Sequence, residues 1–349
     1  MSNRDFDPGG VGVHNGNYFG FPWSPDEAPL VLMNVPWDST TSYRRGTADG
    51  PSAMIRASTQ LDFYSFDNPG ASITQCGTDR LLEEQVLQLN EKASPLSKQV
   101  IDSLEAGTEA DDTVVVARTT EVNRISAEVD SLIYNRCLYW LRKGKRILLV
   151  GGEHSVPLGY LRALKEISPH GLGLLHVDAH ADLRVAYEGF TGSHASIMYN
   201  VLKENLVEKI VQVGIRDVSH EEMLLAEKDP RIAMFSEHNI NQSLYSGCTW
   251  FEKCREIVAH LPNKVYISFD IDGLSPLYCP NTGTPVPGSL TPDAVFYLIT
   301  MVAESGRQIV GADLCEVSPG QDEWDASVGA RVLYRLATLM QHSHHPTTA

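Results

Sequence analysis

The chain has 349 residues, of which 42% are hydrophobic and 21% are charged, so its composition is that of a folded globular protein rather than a disordered or fibrous one. With 28 Lys and Arg against 44 Asp and Glu, its formal net charge is −16, which disfavours binding to nucleic acid or to an anionic membrane. An acidic chain suits a small cationic substrate or metal ions. No secretory leader and no apolar run of about 18 residues is present, so we expect a cytoplasmic protein with no membrane span.

The N-terminal third gives a weak pattern. A Gly-, Pro- and Asn-rich arm precedes the apolar run 30–36, which indicates a buried strand. Pro51 stands in the first turn of a predicted helix that ends near residue 61. Residues 62–118 are interpreted as an insertion or flap. That segment contains two predicted short helices and an acidic solvated loop, at 81–90, 94–104 and 105–112.

From residue 119 onward, predicted helices and strands alternate. The predicted strands are 146–150, 171–177, 209–215, 264–269 and 307–317. The predicted helices are 119–143, 157–167, 221–228, 249–261, 291–305 and 325–341. The strands are nearly continuous apolar runs, which is typical of a parallel sheet covered by helices on both faces. We expect an α/β protein made of an arm, one domain and a C-terminal tail, at 1–28, 29–341 and 342–349.

Polar side chains with metal-ligating chemistry follow four of these strands. They are His154 after the first, Asp178, His180 and Asp182 after the second, Asp270 and Asp272 after the third, and Glu316 at the end of the fourth. The carboxyl ends of parallel strands share one edge of a sheet, and ligand sites gather there. Residues at i, i+2 and i+4 of an extended segment point the same way, so the side chains of each group can face one cavity.

Several carboxylates at one sheet edge repel each other unless a cation lies between them. Oxygen ligands together with imidazole suit divalent ions such as Mn²⁺, Ni²⁺, Fe²⁺ or Zn²⁺, and six ligands with bridging carboxylates suffice for two ions. An isolated polar residue carries less weight. His176 is therefore predicted to be a core histidine that points away from the cluster, or at most contacts a metal ligand. The three histidines after residue 341 are predicted to lie in a solvated tail, with adventitious metal binding as the alternative.

Six segments together resemble the signature blocks of the ureohydrolases, the arginase and agmatinase family. They are GTADGPSAMIR (46–56), GGEHS (151–155), DAHADLR (178–184), SFDIDGLSP (268–276), TGTPVPGSLT (282–291) and EVSP (316–319). The resemblance runs from about residue 30 to residue 341. It implies the three-layer α/β/α arginase-like fold with a mainly parallel central sheet, and a centre of two divalent metal ions per chain.

The resemblance also implies a role for each matched residue. His154, Asp178, Asp182 and Asp270 would hold one ion, and Asp178, His180, Asp270 and Asp272 the other, with Asp178 and Asp270 bridging. Asp182 would also handle the proton of the attacking water. Glu316 would pair with the guanidinium group of a small cationic guanidino substrate, His194 would shuttle protons, and Thr284 would line the site.

Two residues depart from the family pattern. Glu153 stands where aspartate is common, next to the predicted ligand His154. Arg184 stands where arginases carry a small polar residue. If Arg184 points into the substrate pocket, it disfavours agmatine and favours a substrate with a carboxylate. If it turns away, it pairs with an acidic neighbour.

The substrate prediction is free guanidine, hydrolysed to urea and ammonia, because the arm, NVPWD (34–38) and residues 186–200 resemble the guanidine-hydrolysing subgroup, whose members use nickel. Tyr187 and Phe190 would shorten the pocket, and aromatic residues of the arm would cover it; the alternative is that these residues serve ordinary surface or interface packing. Agmatinase and guanidino-acid hydrolases such as guanidinobutyrase are alternatives, as is formimidoylglutamate as substrate. The single-zinc deacetylase branch is disfavoured by GGEHS, and a non-catalytic binding protein by the complete ligand set.

The family resemblance further implies a homo-oligomer, either a trimer or a hexamer. Ni²⁺ is the expected metal and Mn²⁺ the alternative, since imidazole and carboxylate ligands suit both. An accessory protein that delivers nickel is a possible partner, whereas nucleic acid and membrane are not expected partners.

Overall fold

Eight parallel strands form one sheet in the computed structural model, which describes residues 6–66 and 75–344. The strands are β1 (Leu30–Val35), β2 (Cys76–Asp79), β3 (Arg146–Gly151), β4 (Leu172–Val177), β5 (Lys209–Val213), β6 (Ile232–Phe235), β7 (Lys264–Asp270) and β8 (Gln308–Cys315). Their order across the sheet is β2-β1-β3-β8-β7-β4-β5-β6, and every neighbouring pair is parallel. The four strands that carry the candidate site residues, β3, β8, β7 and β4, are therefore the central ones.

Helices cover both faces of the sheet. They are α1 (Gly50–Ser58), α2 (Glu83–Glu105), α3 (Thr113–Arg142), α4 (Pro157–Ile167), α5 (Ile197–Lys203), α6 (His220–Lys228), α7 (Glu237–Tyr245), α8 (Trp250–Ala259), α9 (Pro292–Glu304) and α10 (Trp324–His342). Along β1, Val31 and Met33 pack in a core shared with α2, α3 and α4, whereas Leu30 and Leu32 pack in a second core shared with α8, α9 and α10. The predicted three-layer α/β/α fold is confirmed.

The predicted helix boundaries were wrong in the segment before residue 119. A single helix, α2, replaces the two predicted short ones and runs through Pro95. Pro95 is exposed, so the carbonyl that it leaves without an N–H donor, at residue 91, lies on the water-facing side of the helix. The next helix, α3, begins at Thr113, because the Asp112 side chain accepts hydrogen bonds from the amides of Val114 and Val115.

The sequence patterns missed four elements, β2, β6, α5 and α7, which have 4, 4, 7 and 9 residues. Each is too short to show a clear hydrophobic period. The predicted cap of α9 is confirmed, since the Thr291 hydroxyl accepts from the amide of Ala294 and Pro292 occupies the first turn.

The arm and the segment 62–118 both contribute to the core. Tyr18, Phe19 and Phe21 of the arm are fully buried, and Phe19 and Phe21 pack against Phe63 and Tyr334. The face of α2 that carries its buried residues packs on the core beside β1. No helix within the described ranges 6–66 and 75–344 is long and apolar enough to cross a lipid bilayer.

Candidate metal centre and substrate cleft

The seven predicted cluster residues meet at the carboxyl edge of the central strands. They are His154 after β3, Asp178, His180 and Asp182 after β4, Asp270 and Asp272 at and after the end of β7, and Glu316 after β8. The strand register aligns these ends, because Val177 lies opposite Phe269 and Asp270 lies opposite Cys315. Six of the seven are at most 4% exposed, and the His180 side chain is 25% exposed.

One group of contacts surrounds Nδ1 of His154. It lies 3.0 Å from Oδ2 of Asp178, 3.1 Å from Oδ2 of Asp182 and 3.5 Å from Oδ2 of Asp270. Three carboxylate oxygens from two strand ends thus face a single imidazole nitrogen in a buried pocket. These oxygen and nitrogen donors together suit a divalent transition-metal ion.

A second group surrounds Nδ1 of His180. This nitrogen lies 3.2 Å from Oδ2 of Asp272 and 3.5 Å from Oδ1 of Asp178. Asp178 therefore directs one carboxylate oxygen to each histidine. A carboxylate in that position can bridge two ions, as the sequence analysis predicted for it.

Two residues outside the predicted set decide which nitrogen of His154 is free to bind a metal. The Ser268 hydroxyl donates its only proton to Oδ2 of Asp313 at 2.9 Å, and its oxygen lies 2.8 Å from Nε2 of His154. The hydroxyl oxygen must therefore accept a proton from Nε2 of His154. Nδ1, which faces the carboxylates, is therefore the ring nitrogen available to a metal ion. The ring is held in the tautomer that a metal ligand requires, so these residues fit a divalent ion.

Electrostatics at the cluster also favour cations. Burial, together with the neighbouring Asp272 and Asp178, holds the pKa of Asp270 well above its usual range. Burial and Asp178 raise the pKa of Asp182 to about 6. Carboxylates in this environment ionise fully at neutral pH only with positive charge among them, and divalent ions supply that charge.

Two of the cluster residues have left-handed backbone conformations. Asp182 has φ 53° and Glu316 has φ 62°, a region that non-glycine residues rarely occupy. Surrounding hydrogen bonds hold them there: the carbonyl of Asp182 accepts from the amides of Met198 and Tyr199, and the amide of Glu316 donates to the carbonyl of Gly152. Such strain costs about 1–3 kcal/mol per residue and tends to occur at functional sites.

Glu316 is 3% exposed, and its Oε1 accepts a hydrogen bond of 2.9 Å from the amide of His154. Gly283 lies against its other oxygen, because a Cβ at that glycine would stand 3.2 Å from Oε2. Burial and the nearby Glu153 hold the pKa of Glu316 well above its usual range. A cation brought next to this carboxylate would therefore be strongly favoured.

The remaining predicted site residues lie at the edge of the cluster. Nδ1 of His194 is 3.1 Å from the carbonyl oxygen of Thr40, and burial together with His180 lowers the pKa of His194 to about 4. The Thr284 hydroxyl lies 3.5 Å from Oδ2 of Asp272. Both residues line a cleft that opens onto the cluster.

This cleft has a volume of about 410 Å³ and reaches the cluster at His180 and Asp182. Arg184 and Tyr187 line it, and the Arg184 guanidinium lies 4.7 Å from the centre of the Tyr187 ring. Nε of Arg184 is also 3.7 Å from Oε2 of Glu222, another lining residue. Both interpretations of Arg184 thus hold in part, because it pairs with an acidic neighbour and still borders the cleft.

Two sequence expectations for the pocket were wrong for the described chain. Phe190 is fully buried in a small core with Val100, Val115 and Val122, so it does not shorten the pocket. None of the described arm residues, 6–28, lines the cleft, because the aromatic side chains of the arm pack into the core instead.

His176 occupies the second of its two predicted positions, in contact with a proposed metal ligand. Its Nε2 lies 2.8 Å from Oδ2 of Asp178, and its Nδ1 accepts from the Gln212 amide at 3.0 Å. It therefore donates to Asp178 and does not point away from the cluster. His176 lies two residues before Asp178, so the alternation that groups Asp178, His180 and Asp182 also puts His176 on their side. Asp313 carried a sequence signal that was overlooked, namely a charged residue within an apolar strand.

Comparison with known proteins places this site in a family. The sequence pattern of the Arginase family matches residues 28–338, which include every residue of the cluster. The chain belongs to the arginase family. It is a metal-dependent amidinohydrolase, a ureohydrolase acting on the C–N bonds of linear amidines, and members of this family use a binuclear divalent metal centre.

Individual relatives of this arginase-family enzyme support the assignment. The N(1)-aminopropylagmatine ureohydrolase of Thermus thermophilus is 32% identical over 314 residues, which cover 90% of this chain and 91% of that protein. The agmatinase of Proteus mirabilis is 31% identical, with 90% and 91% covered. The crystal structure of the agmatine ureohydrolase of Thermoplasma volcanium matches with a TM-score of 0.68 at 25% identity, covering 93% of this chain and 94% of that one.

Proposed function

We propose that this chain hydrolyses free guanidine to urea and ammonia. The family assignment supports hydrolysis of a guanidino C–N bond, and the observation that carries the choice of substrate is the Arg184–Tyr187 pair in the cleft. A second guanidinium at that place repels the distal ammonium group that agmatine would extend through the cleft. Free guanidine has no distal group and is not affected.

The proposed metal ligands are those of the two contact groups. His154, Asp178, Asp182 and Asp270 would hold one ion. Asp178, His180 and Asp272 would hold the other, together with Asp270, which the family resemblance adds. When bound, two divalent ions lower the pKa of water and supply a nucleophile at neutral pH. We propose Ni²⁺ as the metal, with Mn²⁺ as the alternative. Metal analysis of the protein purified from cells grown with both ions distinguishes them.

In this proposal the protein side chains hold the substrate and move protons. Glu316 holds the planar guanidinium by charge-assisted hydrogen bonds and orients its carbon for attack by water. The C–O bond forms as Asp182 takes up one proton of the attacking water, and that proton passes to the leaving nitrogen as the C–N bond breaks. The second proton of that water leaves the carbon-bound oxygen for the released ammonia, so the oxygen becomes the urea carbonyl. His194 exchanges protons between the cleft and solvent, and Thr284 keeps Asp272 in place. Guanidinium and water thus give urea and ammonium.

Agmatine is a second candidate because of Asp217. Asp217 lines the same cleft, and within the described residues its carboxylate has no hydrogen-bond or ion-pair partner. A free carboxylate there could receive the distal ammonium of agmatine, the substrate after which the Proteus mirabilis relative is named. Guanidinobutyrate is a third candidate, since its carboxylate would pair with Arg184.

The test is urea release from guanidine, agmatine, arginine and guanidinobutyrate by one preparation, loaded separately with Ni²⁺ and Mn²⁺. Turnover of guanidine alone is the expected result. Arg184→Ala should then admit agmatine, and Asp217→Asn should leave the guanidine KM unchanged. If Asp217→Asn instead raises the KM for agmatine in an enzyme that prefers it, agmatine is the substrate. Glu221→Gln, which removes an exposed carboxylate next to Glu222 but outside the cleft, is the matched charge control.

We further propose that the chain forms a homo-oligomer, a trimer or a hexamer, and that 29–341 is a single domain. An exposed apolar patch supports the oligomer: Tyr64, Phe66 and Trp324 line one groove, and exposed Leu277 adjoins it through a hydrogen bond from the Trp324 indole to its carbonyl. Patches of this kind often mark protein interfaces. Light scattering during size-exclusion chromatography measures the number of chains. If a nickel-delivery protein is a partner, co-expressing it with this chain should raise the nickel content of the purified enzyme.

A further inference from the structure

Glu153 is a fully buried carboxylate for which the proposed reaction has no role. It precedes His154, yet its side chain points toward another part of the chain. Its two oxygens accept five hydrogen bonds, from the indole of Trp37, the amide and hydroxyl of Thr40, the hydroxyl of Thr41 and the hydroxyl of Ser155. Four of these five donors belong to residues 37–41.

Residues 37–41 follow β1 and form neither helix nor strand. The main chain adds one further link to Glu153, whose amide donates to the carbonyl of Trp37 at 2.7 Å. Glu153 therefore fixes Trp37, Thr40 and Thr41 of this loop against the end of β3, while Asn90 of α2 holds Asp38 and Ser39. Burial raises the pKa of Glu153 to about 7, and the hydrogen bonds from Thr40 and Ser155 favour its charged form, which can hold several donors at once.

The anchored loop reaches His194. The carbonyl of Thr40 lies 3.1 Å from Nδ1 of His194, and a carbonyl oxygen can only accept, so Nδ1 carries the proton. Nε2 of the neutral ring then has a free lone pair. It lies 3.5 Å from the Ser42 hydroxyl, and both side chains line the cleft.

We propose that Glu153 is a positioning residue that acts through the 37–41 loop, holding the Thr40 carbonyl where it fixes the tautomer and orientation of His194. Its position next to His154 is then a consequence of the chain path, and its working contact is with the loop. The link to activity rests on the proposed function, whereas the link to the His194 ring does not.

Glutamine cannot replace this carboxylate. Oε2 accepts from the Thr40 amide and Oε1 accepts from the Trp37 indole, and neither of these N–H groups can turn into an acceptor. Whichever oxygen becomes the NH₂ group of Glu153→Gln therefore meets an N–H donor, and the loop must shift. Glu153→Asp keeps both acceptor oxygens and is the conservative variant.

A double-mutant cycle with His194→Asn tests the proposal. Glu153→Gln should lower kcat about 10- to 100-fold, the scale of a misplaced catalytic group, and leave KM and metal content close to those of the parent. In the His194→Asn background the same substitution should change kcat by less than about threefold, because coupled residues are non-additive. An equal loss in both backgrounds, or a parallel loss of metal, would overturn the proposal.

A second measurement does not depend on turnover. Diethyl pyrocarbonate acylates unprotonated imidazole nitrogen, and mass spectrometry of the peptide that contains His194 gives the modification rate. Glu153→Gln should raise that rate, since the loop no longer holds and shields the ring, and Glu153→Asp should stay closer to the parent. Ser155→Ala is the matched control, because Ser155 donates to Glu153 from outside the loop. An unchanged rate in a folded Glu153→Gln protein would refute the positioning role, whichever guanidino substrate is used.

Discussion

Ser268→Ala should weaken metal binding without touching any proposed ligand. The Ser268 hydroxyl joins Nε2 of His154 to Asp313, and both partners are at most 1% exposed. Removing it leaves the Nε2 proton of His154 without a partner. Asp313 keeps two hydrogen bonds, from the amide of Phe269 at 3.2 Å and from the thiol of Cys315 at 3.6 Å. A buried donor without a partner costs about 1–3 kcal/mol.

That cost applies most strongly to the state in which Nε2 must carry the proton, which is the metal-bound state. Groups that orient a metal-binding histidine typically contribute about 10- to 100-fold to metal affinity, or about 1.4–2.7 kcal/mol. We therefore expect the dissociation constant of the ion that His154 would hold to rise by that factor. The free energy of unfolding of the metal-free protein should fall by about 1–2 kcal/mol, because only one buried donor loses its partner.

Competition with a chromophoric chelator measures the affinity, and urea denaturation of the metal-free protein measures the stability. Ser126→Ala is the control: Ser126 is also buried, but it donates only to the carbonyl of Val122 within α3, away from the cluster. A Ser268→Ala protein whose metal affinity stays within about twofold of the parent would show that His154 needs no fixed tautomer, because that change is well below the expected range.

Three further predictions concern the cluster and His194 at its edge. Asp270→Ala and His180→Ala should each abolish urea release and lower the metal content, measured by plasma emission spectroscopy; full activity in Asp270→Ala would disprove the two-metal assignment. Glu316→Gln should keep the metal content and the melting temperature but lower kcat/KM by at least about 100-fold, because a charge-assisted contact to the guanidinium is lost. The pKa of His194 is lowered to about 4 by burial and His180, so its ring is neutral from pH 6 to 9. The pH–rate profiles of the parent and His194→Asn should therefore be parallel in that range, and an inflection present only in the parent would count against this.

The fold was predictable where the strands are long and apolar. Strands β3, β4, β5, β7 and β8 were all expected from continuous runs of buried residues, and their parallel pairing follows from the helices between them. The segment before residue 119 was harder to predict. Pro95 suggests a helix boundary, but this residue is exposed and α2 continues through it. Edge strand β2, with the sequence CGTD, has no hydrophobic period to detect.

The cluster itself was predictable because its residues follow the strand ends. What the sequence could not show is the second layer of contacts. Ser268 and Asp313 lie 45 residues apart, and only the register of β7 against β8 brings them together. The contact of His176 with Asp178 is the exception, because residues two positions apart in an extended segment point the same way. The orientation of the Arg184 side chain in the cleft was likewise not predictable. It depends on Tyr187 and Glu222, whose positions follow from the loop conformation.

The central position of β8 also has a consequence for the order of assembly. It is the last strand along the described chain, yet it lies between β3 and β7, and before it arrives β2-β1-β3 shares no ladder with β7-β4-β5-β6. His154 follows β3 in the first group of strands and Asp270 ends β7 in the second group. Within the sheet, β8 joins the two groups and so brings these residues together. A nascent chain therefore gains the whole cluster only after residues 308–316 have left the ribosome, so binding of both ions follows synthesis of all eight strands of the described sheet.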